Sequence, residues 1–325
     1  MINISANSKQ LDIILPNTNR ALAEVIKNAT PKELEILSQS KDLKSVMNSL
    51  LKQTSDNSSS NKILLNLLKN NPTLKSLGSV SNSVKYLLNA IKSTQTELRG
   101  TLQTTEAKTQ LPIEKQLKNF LVDIKNLSEP ILKQKIENSG IFLESKLKNA
   151  NTYNIKELIS NDLKSILLQA SDEIKNSSNP NKMELLKQVD KLLLQIDYHQ
   201  LLSHLSNSSS IYIPFAWEQL QEGHIEIKQD KEKKFYCDID LTLKEYGELN
   251  LKLTLYDENQ LNIHIYSDSG KLKEMIKENI SSLRCALIES QITPREIRLF
   301  DTKPSVQSPY ENSDKPIDLG FEVKV

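Results

Sequence analysis

Along the first two thirds of the chain, apolar residues recur at steps of three and four; from Ile211 onward they recur at every second residue. The first spacing predicts amphipathic helices and the second predicts half-buried strands. Asn17 and Thr18 can cap a helix running through Ala29. Thr30-Pro31-Lys32-Glu33 is a start signal, with Thr as cap, Pro in the first turn and Glu three residues after the cap. Helices are predicted near 31–39, 41–53, 61–70 and 81–93, with a Ser/Asn linker at 54–61 and a stop at Asn71-Pro72. Residues 94–110, polar and Thr-rich, read as a boundary. Pro112 opens a second block. Leu117, Phe120, Leu121, Ile124 and Leu127 share a helical stripe, and Leu132, Ile136, Phe142, Leu143 and Leu147 continue the pattern across Ser139-Gly140. Helices near 155–175 and 181–203 complete a block that is either a bundle or a set of helices packing only with a partner.

In the last third, Ile225 and Ile227, then Ile239, Leu241 and Leu243, then Leu249, Leu251, Leu253 and Leu255, then Ile263 and Ile265 alternate with polar residues. Residues 229–234, 245–247 and 257–260 between them are turn-like, so these are successive hairpins of a sheet with one buried face. Leu272, Ile276, Ile280, Leu283 and Leu287 then form one stripe of a helix over 270–290. Pro294, a strand over 296–300 and a Pro/Ser-rich loop follow, and 319–325 alternates again as a further edge strand. The predicted class is α+β: a helical N-terminal two thirds, then a C-terminal antiparallel sheet with one packed amphipathic helix. Residues 1–110 are read as a loosely packed helical segment, 111–204 as a helical block and 211–325 as the α+β domain.

The net charge of +1 hides an asymmetry: residues 1–110 sum to +6 and residues 205–325 to −6. The basic front carries only Arg20 and Arg99 among its arginines and no basic run interleaved with aromatics, so a solvated helical surface is favoured over nucleic-acid binding. Residues 1–20 have no basic region ahead of their short apolar patch, and no apolar run approaches about 20 residues, so neither a cleaved signal nor membrane insertion is expected.

Catalytic, cofactor and metal chemistry find no pattern here. The 7 glycines are not clustered into a phosphate loop, and Cys237 and Cys285 stand outside any C-x-x-C pair, each expected to pack in a core. His199 and His204, five apart, face different ways on a helix, and His264 is expected to be solvated. Asp238 and Asp240 share a strand face, where Lys252 or Lys228 opposite them is a simpler account than acid–base work. Trp217 is expected to pack where the helical block meets the sheet.

Leu241-x-Leu243-x-x-x-Gly247-x-Leu249-x-Leu251-x-Leu253, followed by Ile280-x-x-Leu283-Arg284-x-x-Leu287-x-x-x-x-Ile292, resembles the C-terminal domain of flagellar hook-length control proteins. The order of strand, Gly turn, strand, hairpin, helix and strand agrees. Leu243, Tyr246 and Gln291 depart from the residues usual there, and residues 137–147 are similar to a segment upstream of this domain in longer members. The resemblance implies a non-enzymatic protein that binds protein partners, with no cofactor. Those partners are the cytoplasmic domain of the flagellar export-gate membrane protein, where contact switches the type III export substrate, and hook or hook-cap subunits. It implies a cytoplasmic location, with passage through the flagellar channel as a route out. Gly247, Leu283 and Arg284 are the candidate partner-binding residues; Arg284 either meets a partner or lays its stem along the helix. The alternative is a cytoplasmic helical scaffold or export chaperone carrying an α+β interaction domain.

Overall fold

The structure, a computed structural model, describes residues 19–30, 59–101, 112–150, 154–177, 180–206, 208–230 and 233–301. Helices fill the first two thirds, and a six-stranded, mostly antiparallel sheet with one helix fills the last. Asn17, Thr18, the helices predicted over 31–53 and the strand predicted over 319–325 lie outside the described residues.

The helices are α1 (Arg20–Asn28), α2 (Ser59–Asn70), α3 (Pro72–Lys75), α4 (Val80–Thr101), α5 (Pro112–Phe120), α6 (Glu129–Glu137), α7 (Leu143–Asn149), α8 (Ile155–Asn161), α9 (Leu163–Asn176) and α10 (Lys182–Ser206). Asn19 caps α1 by accepting from the Leu22 N–H, and Asn71 caps α3, with Pro72 in its first turn, by accepting from Leu74. Helix α10 is the spine. Leu185, Val189, Leu192, Leu193 and Ile196 face a core shared with α4, α5 and α9, whereas Leu201, Leu202 and Leu205 face a second core with α1, α2 and α3. A helix apolar toward two cores shows no single stripe.

Three predicted boundaries move. The stretch read as a break from residue 94 is helical to Thr101. The stripe from Leu117 to Leu127 is not one helix: α5 stops at Phe120, the chain turns extended before a 3-10 turn at Ile124–Asn126, and Ala216 fixes this by donating to the Val122 carbonyl and accepting from the Ile124 N–H. The helix predicted near 155–175 splits at Asp162, whose extended backbone frees its carboxylate to cap α9 at Lys164 and Ser165.

The strands are β1 (Ser209–Tyr212), β2 (Leu220–Gln229), β3 (Phe235–Leu243), β4 (Gly247–Tyr256), β5 (Gln260–Tyr266) and β6 (Thr293–Phe300), in spatial order. The first five are antiparallel neighbours; β6 runs parallel to β5 after α11 (Gly270–Glu289) crosses over. One row of the register is Ile211, Ile225, Ile239, Leu251, Ile265 and Leu299, and the next row on the other face is His224, Asp240, Asn250, Tyr266 and Phe300. One face is therefore apolar and carries α11, and the other is polar. Ile211 and Tyr212 also join the helical core, and the Tyr212 hydroxyl donates to the Ser139 carbonyl at 2.6 Å, so β1 ties the two parts together. Trp217, beside Ala216 at that junction, is half-buried against the sheet core.

Candidate protein-binding surface

Helix α11 begins at a Ser269 cap, where the side chain accepts from Leu272, and its stripe lies on the apolar face. The cover is uneven. Leu272 is buried, together with Leu241, Leu243 and Leu249 at the same end of the sheet, where Phe215, Trp217 and Tyr246 add packing. Toward the C-terminal end of α11, Ile280, Leu283 and Leu287 are only half-buried. Because α11 runs antiparallel to β5, this end lies over the rows holding Phe235, Cys237, Leu253 and Leu255, which are half-buried too.

The two flanks of α11 can be told apart. Lys273 pairs with Asp301 just past β6, holding that carboxyl below its ordinary range through a hydrogen bond and charge, and Lys277 adds to the effect. Residues 277, 284 and 288 follow one another at steps of seven and four, so Arg284 and Ile288 share the flank that overhangs β6. Met275, Asn279 and Ala286 are on the opposite flank, toward β4 and β3. Beside that flank the half-buried Leu253, Leu255 and Cys237 and the 44%-exposed Met275 leave a strip of apolar surface, the groove, partly open. Burial beside Asp238 pushes the Cys237 thiol up to about 12, so it is a protonated, packing thiol. Cys285 does not pack in a core as expected; its position on the helix turns it out to solvent.

The predicted partner-binding residues are not brought together. Leu283 borders the groove through the stripe, and Arg284 is exposed on the other flank. Gly247 sits at the β3–β4 turn with φ +72°, a backbone conformation that favours glycine, and a Cβ there would meet nothing. The turn abuts the start of α11, where the Lys271 ammonium lies 5.5 Å from the Tyr246 ring, about 18 Å along the helix axis from Leu283. Asp238, Asp240 and Lys252 are on the polar face, whereas Lys273, Glu274 and Lys277 are on α11, so they form no common rim. Asp238 does stand opposite Lys252, and Asp240 accepts from Asn250 at 2.5 Å and faces His224 at 3.6 Å. His264 is partly enclosed, edge-on to Phe300 and 3.8 Å from Glu296.

A second constellation lies in the helical block. Lys164, 1% exposed, reaches Glu144 at 2.5 Å, Gln200 at 2.6 Å and Asp197 at 2.8 Å. Burial alone would lower its pKa, but Asp197 and Glu144 outweigh that and hold it raised, so the ammonium stays charged. Gln200 donates to the Gly140 and Ile141 carbonyls, and Lys146 pairs with buried Asp162 at 3.0 Å. Burial raises the Asp162 carboxyl despite Lys146. Arg20 completes the knot from α1, its backbone N–H donating to Asp197 at 2.8 Å. Gly140, with φ +90°, lets Lys164 pass: a Cβ there would be 2.7 Å from the Lys164 Cβ. Residues 137–147 are thus the wall of an ionic knot, which periodicity could not reveal; the Ser-Gly pair at a helix exit is its one sequence signal.

A hollow of about 90 Å³ lies where α10 meets the sheet, lined by Gln195, Tyr198, His199, Tyr212 and His224 among others. Burial, with His224 nearby, pulls the His199 pKa down to about 3, so the ring is neutral; its Nδ1 is 3.1 Å from the Ser210 hydroxyl. Among the described residues there is no cluster of His, Cys, Asp and Glu fit for a metal ion, and no helix is long and apolar enough to cross a membrane.

Residues 223–308 match the family model described as flagellar hook-length control protein FliK. The match begins within β2, spans β3 to β6 with α11, and leaves the helical block outside it. No curated protein and no solved structure matches the chain.

Proposed function

We propose that this chain, whose residues 223–308 form a domain of the flagellar hook-length control family, switches the substrate of flagellar type III export by binding protein partners. The observation that carries the reading is the half-covered apolar groove within the matched domain. A monomer gains by burying apolar surface, and a contiguous apolar patch left partly open is the mark of a protein contact. The occupant is the cytoplasmic domain of the export gate, seated between Met275, Leu283 and the β3–β4 strands. Hook or hook-cap subunits are met by the helical part. No bond is made or broken; binding selects between two states of the gate. The protein works in the cytoplasm and reaches the hook through the flagellar channel.

Deleting the gene in its bacterium should give overlong hooks and few filaments, and removing only residues 211–325 should give the same defect. Normal hooks and filaments in both strains would overturn the reading. A second reading, a scaffold or chaperone that stays folded inside the cell, draws on the ionic knot, because a block closed around Lys164 must be pulled open before it can thread a channel. Hook-length control by a strain whose chain is trapped in the cytoplasm would favour it.

A further inference from the structure

A cleft of about 870 Å³ opens on the helical part, between α10 and the elements α1, α3 and α4. Leu77 and Leu194 give it an apolar lining, and the Tyr86 ring from α4 stands in it 64% exposed. Along α10, Met183, Lys187, Lys191 and Leu194 follow one another at steps of four, four and three, so they share one stripe about 16 Å long. Met183, 77% exposed, carries that stripe beyond the cleft. Of the large hydrophobic side chains that stand exposed among the described residues, Met275 and Ile288 flank α11, and the others are Tyr86 and Met183.

The charges of the cleft are not balanced within the chain. Arg20 is engaged by Asp190 at 3.9 Å and by Asp197 at 3.6 Å, and Glu24 meets Lys27 at 3.9 Å. Lys187, exposed, and Lys191, half-buried, also line the cleft, and neither forms an ion pair among the described residues. Two ammoniums one turn apart on a helix repel each other. The neighbouring helices make this worse: α1 to α4 carry Arg20, Lys27, Lys62, Lys69, Lys75, Lys85, Lys92 and Arg99 against Glu24 and Glu97. An occupant that answers these features brings apolar side chains and a pair of carboxylates one turn apart. Two turns of an α-helix about 10 Å across fill about 850 Å³, close to the volume of the cleft. Nucleic acid matches less well, because Glu24 and Asp190 stand in the same cleft and Arg20, its one guanidinium, is already engaged.

We propose that this cleft binds an acidic amphipathic helix of a partner protein, with the apolar face on Leu77, Leu194, Tyr86 and Met183 and two carboxylates on Lys187 and Lys191. The site deepens the reading that the helical part meets another protein, and it rests on that reading. It lies outside residues 223–308, apart from the groove beside α11.

Fluorescence anisotropy on the full-length protein tests this. The probe is a fluorescein-labelled synthetic helix about three turns long, with leucines at steps of three and four along one face and two glutamates one turn apart beside them. It should bind with a Kd on the order of micromolar, and the same helix with lysines in place of the glutamates should bind at least about tenfold more weakly. Lys187→Glu with Lys191→Glu, and separately Tyr86→Ala, should each weaken binding at least about tenfold. Lys133→Glu, exposed on α6, should change it less than about twofold. Circular dichroism checks that each variant folds. No binding by the unaltered protein, equal binding of the lysine version, or full binding by both cleft variants would overturn the proposal. So would tighter competition by a single-stranded oligonucleotide than by the unlabelled glutamate helix. Pull-down of purified hook subunits separates the cleft from the reading it rests on. Capture that survives Lys187→Glu with Lys191→Glu overturns the cleft and leaves the reading standing; probe binding without any capture of hook subunits leaves the cleft standing and overturns that choice of partner.

Discussion

Around Lys164 the helical block takes charge out of water and closes over it: one ammonium, two carboxylates and a Gln side chain meet where only 1% of the lysine remains accessible. Under α11 the C-terminal sheet does the reverse, leaving Leu253, Leu255, Ile280 and Leu283 half in water although nothing polar needs them there. Each arrangement forgoes stability of one kind. The buried ion pairs must offset their desolvation, and hydrophobic partners of the same shape would often be as stable or more so. The groove forgoes the burial of apolar surface at about 25 cal/mol per Å². The first arrangement specifies one way for α1, α7, α9 and α10 to meet; the second leaves apolar surface open, where the proposed partner would sit.

The largest effect that could break this contrast is expected at its centre. Lys164→Met takes from buried Asp197 its nearest cation, leaving the Arg20 guanidinium at 3.6 Å, and should lower unfolding free energy by about 3 kcal/mol. A loss under about 1 kcal/mol in urea titration would mean that the knot opens readily to water. Gly140→Ala forces a side chain into the left-handed region and against Lys164. It should cost about 2–4 kcal/mol, read the same way.

Acid provides the next test. The His199 pKa is about 3 when folded against an ordinary 6.5, so the unfolded chain takes the proton first. Its contribution is complete above the unfolded value and lost as pH falls through the window from 6.5 toward 3. Between pH 7 and pH 5 the loss should reach about 2 kcal/mol. His199→Gln should flatten that part of the pH profile; an unchanged slope would show that His199 is wet. The smallest effects belong to the open flanks. Met275→Glu and Ile288→Glu should each change stability by less than about 0.5 kcal/mol. A thiol reagent should label exposed Cys285 quickly and Cys237 only on unfolding, and the opposite order would invert the assignment of the helix faces.

The sheet was readable because alternation is local: each of Leu249, Leu251, Leu253 and Leu255 announces its own face, and α11 ends within one residue of its predicted stop. The family resemblance drew on the same local features and agrees with the match over 223–308. The knot was not readable. Lys164 looks like any lysine on a helix, and what buries it arrives from α7 and α10, 20 and 33 residues away. The break at Asp162 and the stop at Phe120 share that cause: a cap and a strand-like pairing with Ala216 override a continuous apolar spacing. Cys285 lies on the helix face opposite the centre of that stripe, so the spacing itself, followed round the helix, would have placed it in solvent.

The claim that the groove is the docking surface is tested most directly by titrating the full-length protein with the purified cytoplasmic domain of the export gate. Unaltered protein and Ile288→Glu should bind alike, whereas Met275→Glu, equally folded by thermal melt, should bind at least about tenfold more weakly, the effect of an unpaired charge placed in a desolvated contact. Equal binding by Met275→Glu and the unaltered protein, or no binding by either, would contradict the account.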